Sequence, residues 1–223
     1  MFWANFCAQD SAFEVASLYQ LRFEGNTTLK TLIINGFCVR LSSYSCIHLR
    51  GEHVDWRECM QKQIDLMMPA DWPEVFRIYE EGIVTGLATF ETQVPPWEEW
   101  DAARFPHSRL VARGEHVLGW AALSFVSKRS CYVGVAEVGI YVSTLARRCG
   151  IGRALLDALI ESSEAHGIWT LQAATIKENS PSLALLAKCG FQIVGRRERI
   201  GKLGGIRRDT VLSERRSKTV GID

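Results

Sequence analysis

EVGIYVSTLARRCGIGRALLDALIESSEAHG, Glu137–Gly167, is the stretch whose reading decides the fold. It is an apolar strand, then a sharp turn holding Arg147, Arg148, Gly150 and Gly152, then a long helix with Ile151, Leu155 and Leu159 on one face. The first N–H groups of a helix have no internal acceptor, and two glycines leave that end open to an anion such as a phosphate. Period-two alternation along the strand puts Glu137, Gly139 and Tyr141 on one face and Val138, Ile140 and Val142 on the other.

Downstream, IWTLQAATI (168–176) reads as a strand, ENSPSLALLAKCG as a short capped helix, and FQIVGRRER and IRRDTVLSERR as two further strands. Upstream, SRLVAR and HVLGWAALSFVS flank a turn at Gly114–Glu115 and predict a hairpin, preceded by a short helix over Trp97–Arg104. MQKQIDL alternates as a strand, and a helix follows with Asp71 as its N-cap and Pro73 in its first turn. Residues 1–59 have another texture, with Cys7, Cys38, Cys46, Cys59 and scattered aromatics but no sustained period. Only Thr28–Leu41 resembles an element there, a hairpin turning at Asn35–Gly36. The expectation is a functional domain over 60–218 and an N-terminal extension over 1–59, either disordered or an over-extended reading frame.

The chain of 223 residues is 47% hydrophobic and 23% charged, with a formal net charge of +1, an ordinary globular balance. That charge gives no general reason to expect nucleic acid as partner. No run of about 18 apolar residues predicts a membrane span, and the apolar start lacks the basic residues of a signal peptide. The cysteines are odd in number with no CxxC pair, and the five histidines do not fall at metal-ligand spacings. A reduced, cytoplasmic, metal-free protein follows. A helix N-terminus lowers the pKa of a thiol such as Cys149, but with no histidine near it in sequence it reads as structural. Arginines and lysines crowd 196–218 between strand-pattern apolar positions and without stacking aromatics, which reads as solvated strand faces.

The run Arg147-Arg148-Cys149-Gly150-Ile151-Gly152, placed after AEVGIYVS and before the helix, resembles the [QR]xxGxG turn of the GNAT superfamily of N-acetyltransferases. Asn179 followed by KCGF (188–191) matches the last helix and strand of that family. Within it the chain is most similar to the phosphinothricin N-acetyltransferase group, including arsinothricin acetyltransferases. ATFET (88–92), Arg129 with Tyr132, Glu137, YVS (141–143) and RERIGKLGGIRRDTVLSERR (197–216) carry that likeness. The resemblance covers about 60–216. It implies an α+β sandwich, with a mixed, mostly antiparallel sheet of six to seven strands and about four helices. It also implies acetyl-CoA as co-substrate, a small amine acceptor, and a homodimer as one assembly.

By resemblance, the CoA pyrophosphate lies on Arg147, Arg148, Cys149, Gly150, Ile151 and Gly152, with Ile140, Val142 and Asn179 completing the cofactor site. A free alkylamine is almost wholly protonated at pH 7, so transfer needs a base, and the family places a glutamate where Glu137 stands. The competing reading of Glu137 is a strand glutamate facing solvent. The family's splayed strand leaves a backbone N–H, here that of Val142, to polarise the thioester. Phe90, Arg129 and Tyr132 match the acceptor site, where an arginine fork beside aromatic walls suits a small zwitterion. Two departures stand out. The tyrosine that protonates the thiolate in many relatives is Leu186 here, with Tyr132 and Tyr141 as unranked substitutes, and the tryptophan usual before Arg-Asp is Arg207. Acetylation of a protein N-terminus or lysine, or a non-catalytic acyl-CoA-binding module, are the alternative functions.

Overall fold

The computed structural model of the chain describes residues 62–222 and, before them, three strands: β1 (Arg22–Glu24), β2 (Lys30–Ile34) and β3 (Phe37–Leu41). These three form their own antiparallel sheet in the order β1-β2-β3, within a compact unit spanning Met1–Gly51. Ile34 pairs with Phe37, so β2 and β3 are the hairpin expected around Asn35–Gly36. The rest of the extension lies outside the described residues.

The second unit, Glu52–Asp223, contains the strands β4 (Gln63–Leu66), β5 (Leu110–Arg113), β6 (Val117–Phe125), β7 (Val135–Val142), β8 (Thr170–Ile176), β9 (Gln192–Leu203) and β10 (Ile206–Arg216). Its helices are α1 (Trp72–Val84), α2 (Trp97–Ala102), α3 (Ile151–Ala165) and α4 (Ser180–Lys188). The strands make one mixed sheet in the order β4-β5-β6-β7-β8-β10-β9, antiparallel except where β7 runs parallel to β8. This is the α+β sandwich that the resemblance implies.

Each face of the sheet has its own core. Ile151, Leu155, Leu156 and Leu159 of α3, with Leu186 of α4, pack on Leu110, Ala112, Leu118, Ala121 and Leu123. Val75, Ile78 and Tyr79 of α1, with Trp100 of α2, pack on Val111, Val117, Trp120 and Ala122. Both Leu118 and Ala121 point to the α3 face, which strict alternation forbids. A bulge explains it: Ala112 pairs with Gly119 but Arg113 with Val117, so Leu118 is the extra residue. Beyond the bulge Gly119 faces α3, where a Cβ would lie 2.8 Å from the Tyr141 carbonyl and 3.1 Å from Leu155. Glycine there lets the helix lie close against the sheet. Leu186 is a core residue.

The sequence reading of Asp71 as a side-chain N-cap is corrected, because its carboxylate makes no cap bond to α1. One oxygen accepts from Met68 N–H at 2.8 Å, and Arg113 grips both oxygens at 2.9 and 3.0 Å. Arg113 also reaches Asp65 of β4, so the cluster ties the start of α1 to the β4–β5 edge of the sheet. Burial pushes the Asp71 carboxyl up, yet the hydrogen bonds from Arg113 and Met68 and the guanidinium charge outweigh it and hold its pKa below 3.8. A depressed carboxyl pKa contributes stability above its unfolded value that is lost as pH falls through the folded one. Asp71→Asn is therefore expected to cost about 1–3 kcal/mol at neutral pH and to flatten the loss of stability below about pH 4, measured by denaturant unfolding across pH.

Candidate active site

The site is set by the parting of two strands. β7 and β8 are in register only at Val135–Thr170, Ala136–Leu171 and Glu137–Gln172. β7 then continues to Val142 held by β6 alone, through Gly119–Val142. Ser143 N–H donates to the Leu118 carbonyl at 2.9 Å. Backbone groups alternate sides along a strand, so Tyr141 and Gly139 also turn theirs to β6. Ile140 and Val142 turn theirs to the side that β8 has left. Among the described residues these backbone donors and acceptors have no strand partner, and they line a gap in the sheet.

The turn beyond β7 is anchored on both sides. Thr144 N–H donates to the Glu81 carboxylate of α1 at 2.7 Å, and the Ser143 hydroxyl accepts from Leu145 N–H at 3.4 Å. Arg148 and Gly150 then adopt left-handed backbone angles, φ 65 and 77. A left-handed residue in such a turn points successive N–H groups into one concavity. No backbone N–H from Arg147 to Gly152 reaches an acceptor among the described residues. The first turn of α3 adds its positive dipole end. Arg147 and Arg148 are exposed beside it, and Cys149 and Ile151 pack inward. Lys62 Nζ lies 3.4 Å from the Cys149 carbonyl. It brings a third cation to the turn from 87 positions away in the chain, with no local signal to announce it. The Asn179 side chain is occupied at both ends: its oxygen caps α4 through Ser182 N–H, and its amide donates to the Leu87 carbonyl at 3.2 Å. It thereby holds the loop that carries Phe90.

On the opposite face, pairing puts Glu137 across from Ser124 and Tyr141 across from Trp120. Among the described residues the half-buried Glu137 carboxylate has no hydrogen-bond or ion-pair partner. Between it and Tyr141, Gly139 leaves a hollow: a Cβ there would meet only the Ala122 carbonyl at 3.7 Å and Trp120 at 3.8 Å. Tyr141 stacks on Trp120, ring centroids 4.6 Å apart, and leans on Tyr79 at 4.7 Å. Burial and the neighbouring Tyr79 push its phenol far above 10, so it stays neutral.

The predicted acceptor residues do not come together. Phe90 packs on the β9–β10 hairpin, where a Cβ on Gly201 would lie 2.4 Å from its ring. Arg129 and Tyr132 are exposed on the β6–β7 connection, the guanidinium 5.7 Å from the ring. They line a separate open cleft of about 1050 Å³ with Glu99, Phe105 and Phe125, whose lining includes neither Glu137 nor Phe90. Among the described residues no group of three metal-ligating side chains occurs, and no helix is long and apolar enough to cross a membrane.

The chain matches the acetyltransferase (GNAT) family over residues 70–191. It is 35% identical over 156 residues to a phosphinothricin N-acetyltransferase of Alcaligenes faecalis, covering 65% of this chain and 77% of that protein. It is 34% identical over 144 residues to an L-methionine sulfoximine/L-methionine sulfone acetyltransferase of Pseudomonas paraeruginosa, covering 61% and 83%. Among solved structures, a phosphinothricin acetyltransferase from Sinorhizobium meliloti in complex with acetyl-CoA aligns with a TM-score of 0.63 at 30% identity, covering 73% of this chain and 96% of that one. Replacing Gly150, φ 77, forces a side chain into a left-handed turn. Gly150→Val is expected to weaken CoA binding about tenfold or more, since its strain of about 1–2 kcal/mol falls on the anion cradle. Calorimetric titration with CoA measures this.

Proposed function

The chain belongs to the acetyltransferase (GNAT) family as an acetyl-CoA-dependent N-acetyltransferase, and we propose that its acceptor is the amino group of a small amino acid of the phosphinothricin or arsinothricin kind. The observation that carries this reading is the single strand β7, with an unpartnered carboxylate at Glu137, an open hollow at Gly139 and a free backbone edge at Ile140 and Val142. CoA lies with its pyrophosphate on the Arg147–Gly152 turn, and its extended arm, with its amides, fits the gap between β7 and β8. The thioester carbonyl takes the Val142 N–H, while the amine enters from the α1 face over Gly139.

The amine must first lose a proton, and Glu137 is the base. Val142 lies five positions further on, about 16 Å along an extended strand, so the proton travels through water. The nitrogen lone pair then attacks the thioester carbon. Charge gathers on the carbonyl oxygen against the Val142 N–H, and the tetrahedral adduct collapses with loss of CoA thiolate, the second proton of the nitrogen passing to that thiolate or to water. A thiol with a pKa near 8.5 is a tolerable leaving group without a dedicated acid, which suits the burial of Leu186 in the core. Holding both substrates on one rigid strand supplies much of the acceleration through proximity.

The competing chemistry, acetylation of a protein N-terminus, is separated by a panel of phosphinothricin, methionine sulfoximine, ordinary amino acids and an alanine-led peptide, followed by thiol release. Turnover confined to the peptide would overturn the small-acceptor reading. Glu137→Gln is expected to lower kcat by about 100-fold or more, leave the KM for acetyl-CoA within about twofold, and flatten the acid limb of the pH–rate profile. An unchanged profile would remove Glu137 as base. The functional unit is proposed to begin near Met60, and a truncated protein starting there is expected to keep its kcat for the same acceptor.

A further inference from the structure

Among the described residues, Arg104 is the one arginine that is at least half-buried yet makes no ion pair. The other arginines withdrawn from solvent all have carboxylates: Arg109 with Asp101, Arg113 with Asp65 and Asp71, Arg208 with Glu178, and Arg215 with Glu164. Arg104 follows α2 and bridges by its backbone to Ser124, which stands opposite Glu137 in the ladder. Arg104, Ser124 and Glu137 thus form one row across neighbouring strands, about 10 Å from end to end.

The surroundings of its guanidinium are aromatic rings, two tyrosine hydroxyls and a backbone carbonyl, with no carboxylate paired to it among the described residues. Its carbon lies 4.1 Å over the Trp100 ring and 5.9 Å from that of Trp120. Nη1 donates to the Trp100 carbonyl at 2.8 Å, and the Tyr79 and Tyr141 hydroxyls are its electrostatic neighbours. In the same aromatic cluster the indole N–H groups of Trp100 and Trp120, both fully buried, have no acceptor. Burial also disfavours the charge of Arg104, and no side-chain anion offsets it.

We propose that Arg104 anchors the carboxylate of the acceptor amino acid. The proposal rests on the acetyl-transfer reading above and names its substrate class: α-amino acids, recognised at both ends. In such a zwitterion a single carbon joins the ammonium to the carboxylate. The residue that holds the carboxylate must therefore stand within reach of the place where the amine enters over Gly139, on the same face. Arg104 meets that requirement, whereas exposed Arg129 lies in a cleft whose lining excludes Glu137. A carboxylate supplies acceptor sites only, the complement of an arginine that has no ion pair, and a guanidinium can grip it with two parallel bonds.

The test compares phosphinothricin with its α-carboxamide on the full chain, for the native protein, Arg104→Gln and Arg104→Lys. The native protein is expected to prefer the acid by about 10- to 100-fold in kcat/KM. Arg104→Gln should raise the KM for the acid by that factor, leave kcat within about twofold, and leave the carboxamide unchanged. Arg104→Lys should recover part of the preference. If Arg104→Gln slows acid and carboxamide alike, or only lowers the thermal midpoint, the residue is a packing brace and the proposal falls. Should Arg104→Gln fail to fold, Arg104→Lys decides: an unchanged preference for the acid overturns the proposal, and a several-fold loss supports it. If the native protein acetylates neither compound, calorimetric titration of phosphinothricin into CoA-saturated protein separates the two readings. Binding that Arg104→Gln or Arg104→Lys weakens upholds the anchor while the transfer reading fails; absent or unaffected binding overturns the anchor.

Discussion

The structure depends on the parting of β7 from β8 after Glu137 and Gln172. A parallel pair that separates leaves backbone groups without partners, a cost that buried peptide groups rarely bear unrelieved. Here the cost falls where an extended ligand with amide groups can meet it. The stranded end of β7 is kept in place from its other edge. The Ser143 bond to Leu118 and the Thr144 bond to Glu81 fasten the chain just past Val142. The open edge is therefore rigid, and a rigid edge can orient a thioester.

The two faces of that strand do different work. The α3 face is apolar to its end and finishes at a helix N-terminus, so it presents dipole and cations to phosphates. The α1 face is built from Tyr79, Trp100, Trp120 and Tyr141, with Arg104 among them and the Glu137 carboxylate beyond. Aromatic walls exclude water without adding competing charge, which strengthens the electrostatics of any polar group left inside. The bulge at Leu118 makes the division between the two faces possible, because it lets β6 offer Leu118 to one core and Trp120 to the other.

Much of this was legible in the chain because local chemistry carried it. The glycine turn, the strand before it and the helix after it announce themselves in thirty-odd residues, and period-two alternation put Glu137 and Tyr141 on one face. The acceptor side was carried by resemblance alone. Phe90, Arg129 and Tyr132 were grouped by resemblance, but Phe90 sits against Gly201 and the other two line a different cleft. Asp71 stands where a cap belongs, yet its carboxylate turns to Met68 and Arg113 instead.

The sequence by itself determined the order of elements, the glycine turn and the face on which the glutamate stands, since helix ends, glycines and strand alternation act over a few residues. Only the tertiary structure decided where the strands part, that Lys62 meets Cys149, that Asn179 holds the Leu87 loop, and that Arg104 is half-buried with no carboxylate paired to it among the described residues. Those facts concern groups far apart in the chain. Whether a charge finds a partner is settled by what the fold brings beside it, and no local pattern encodes that.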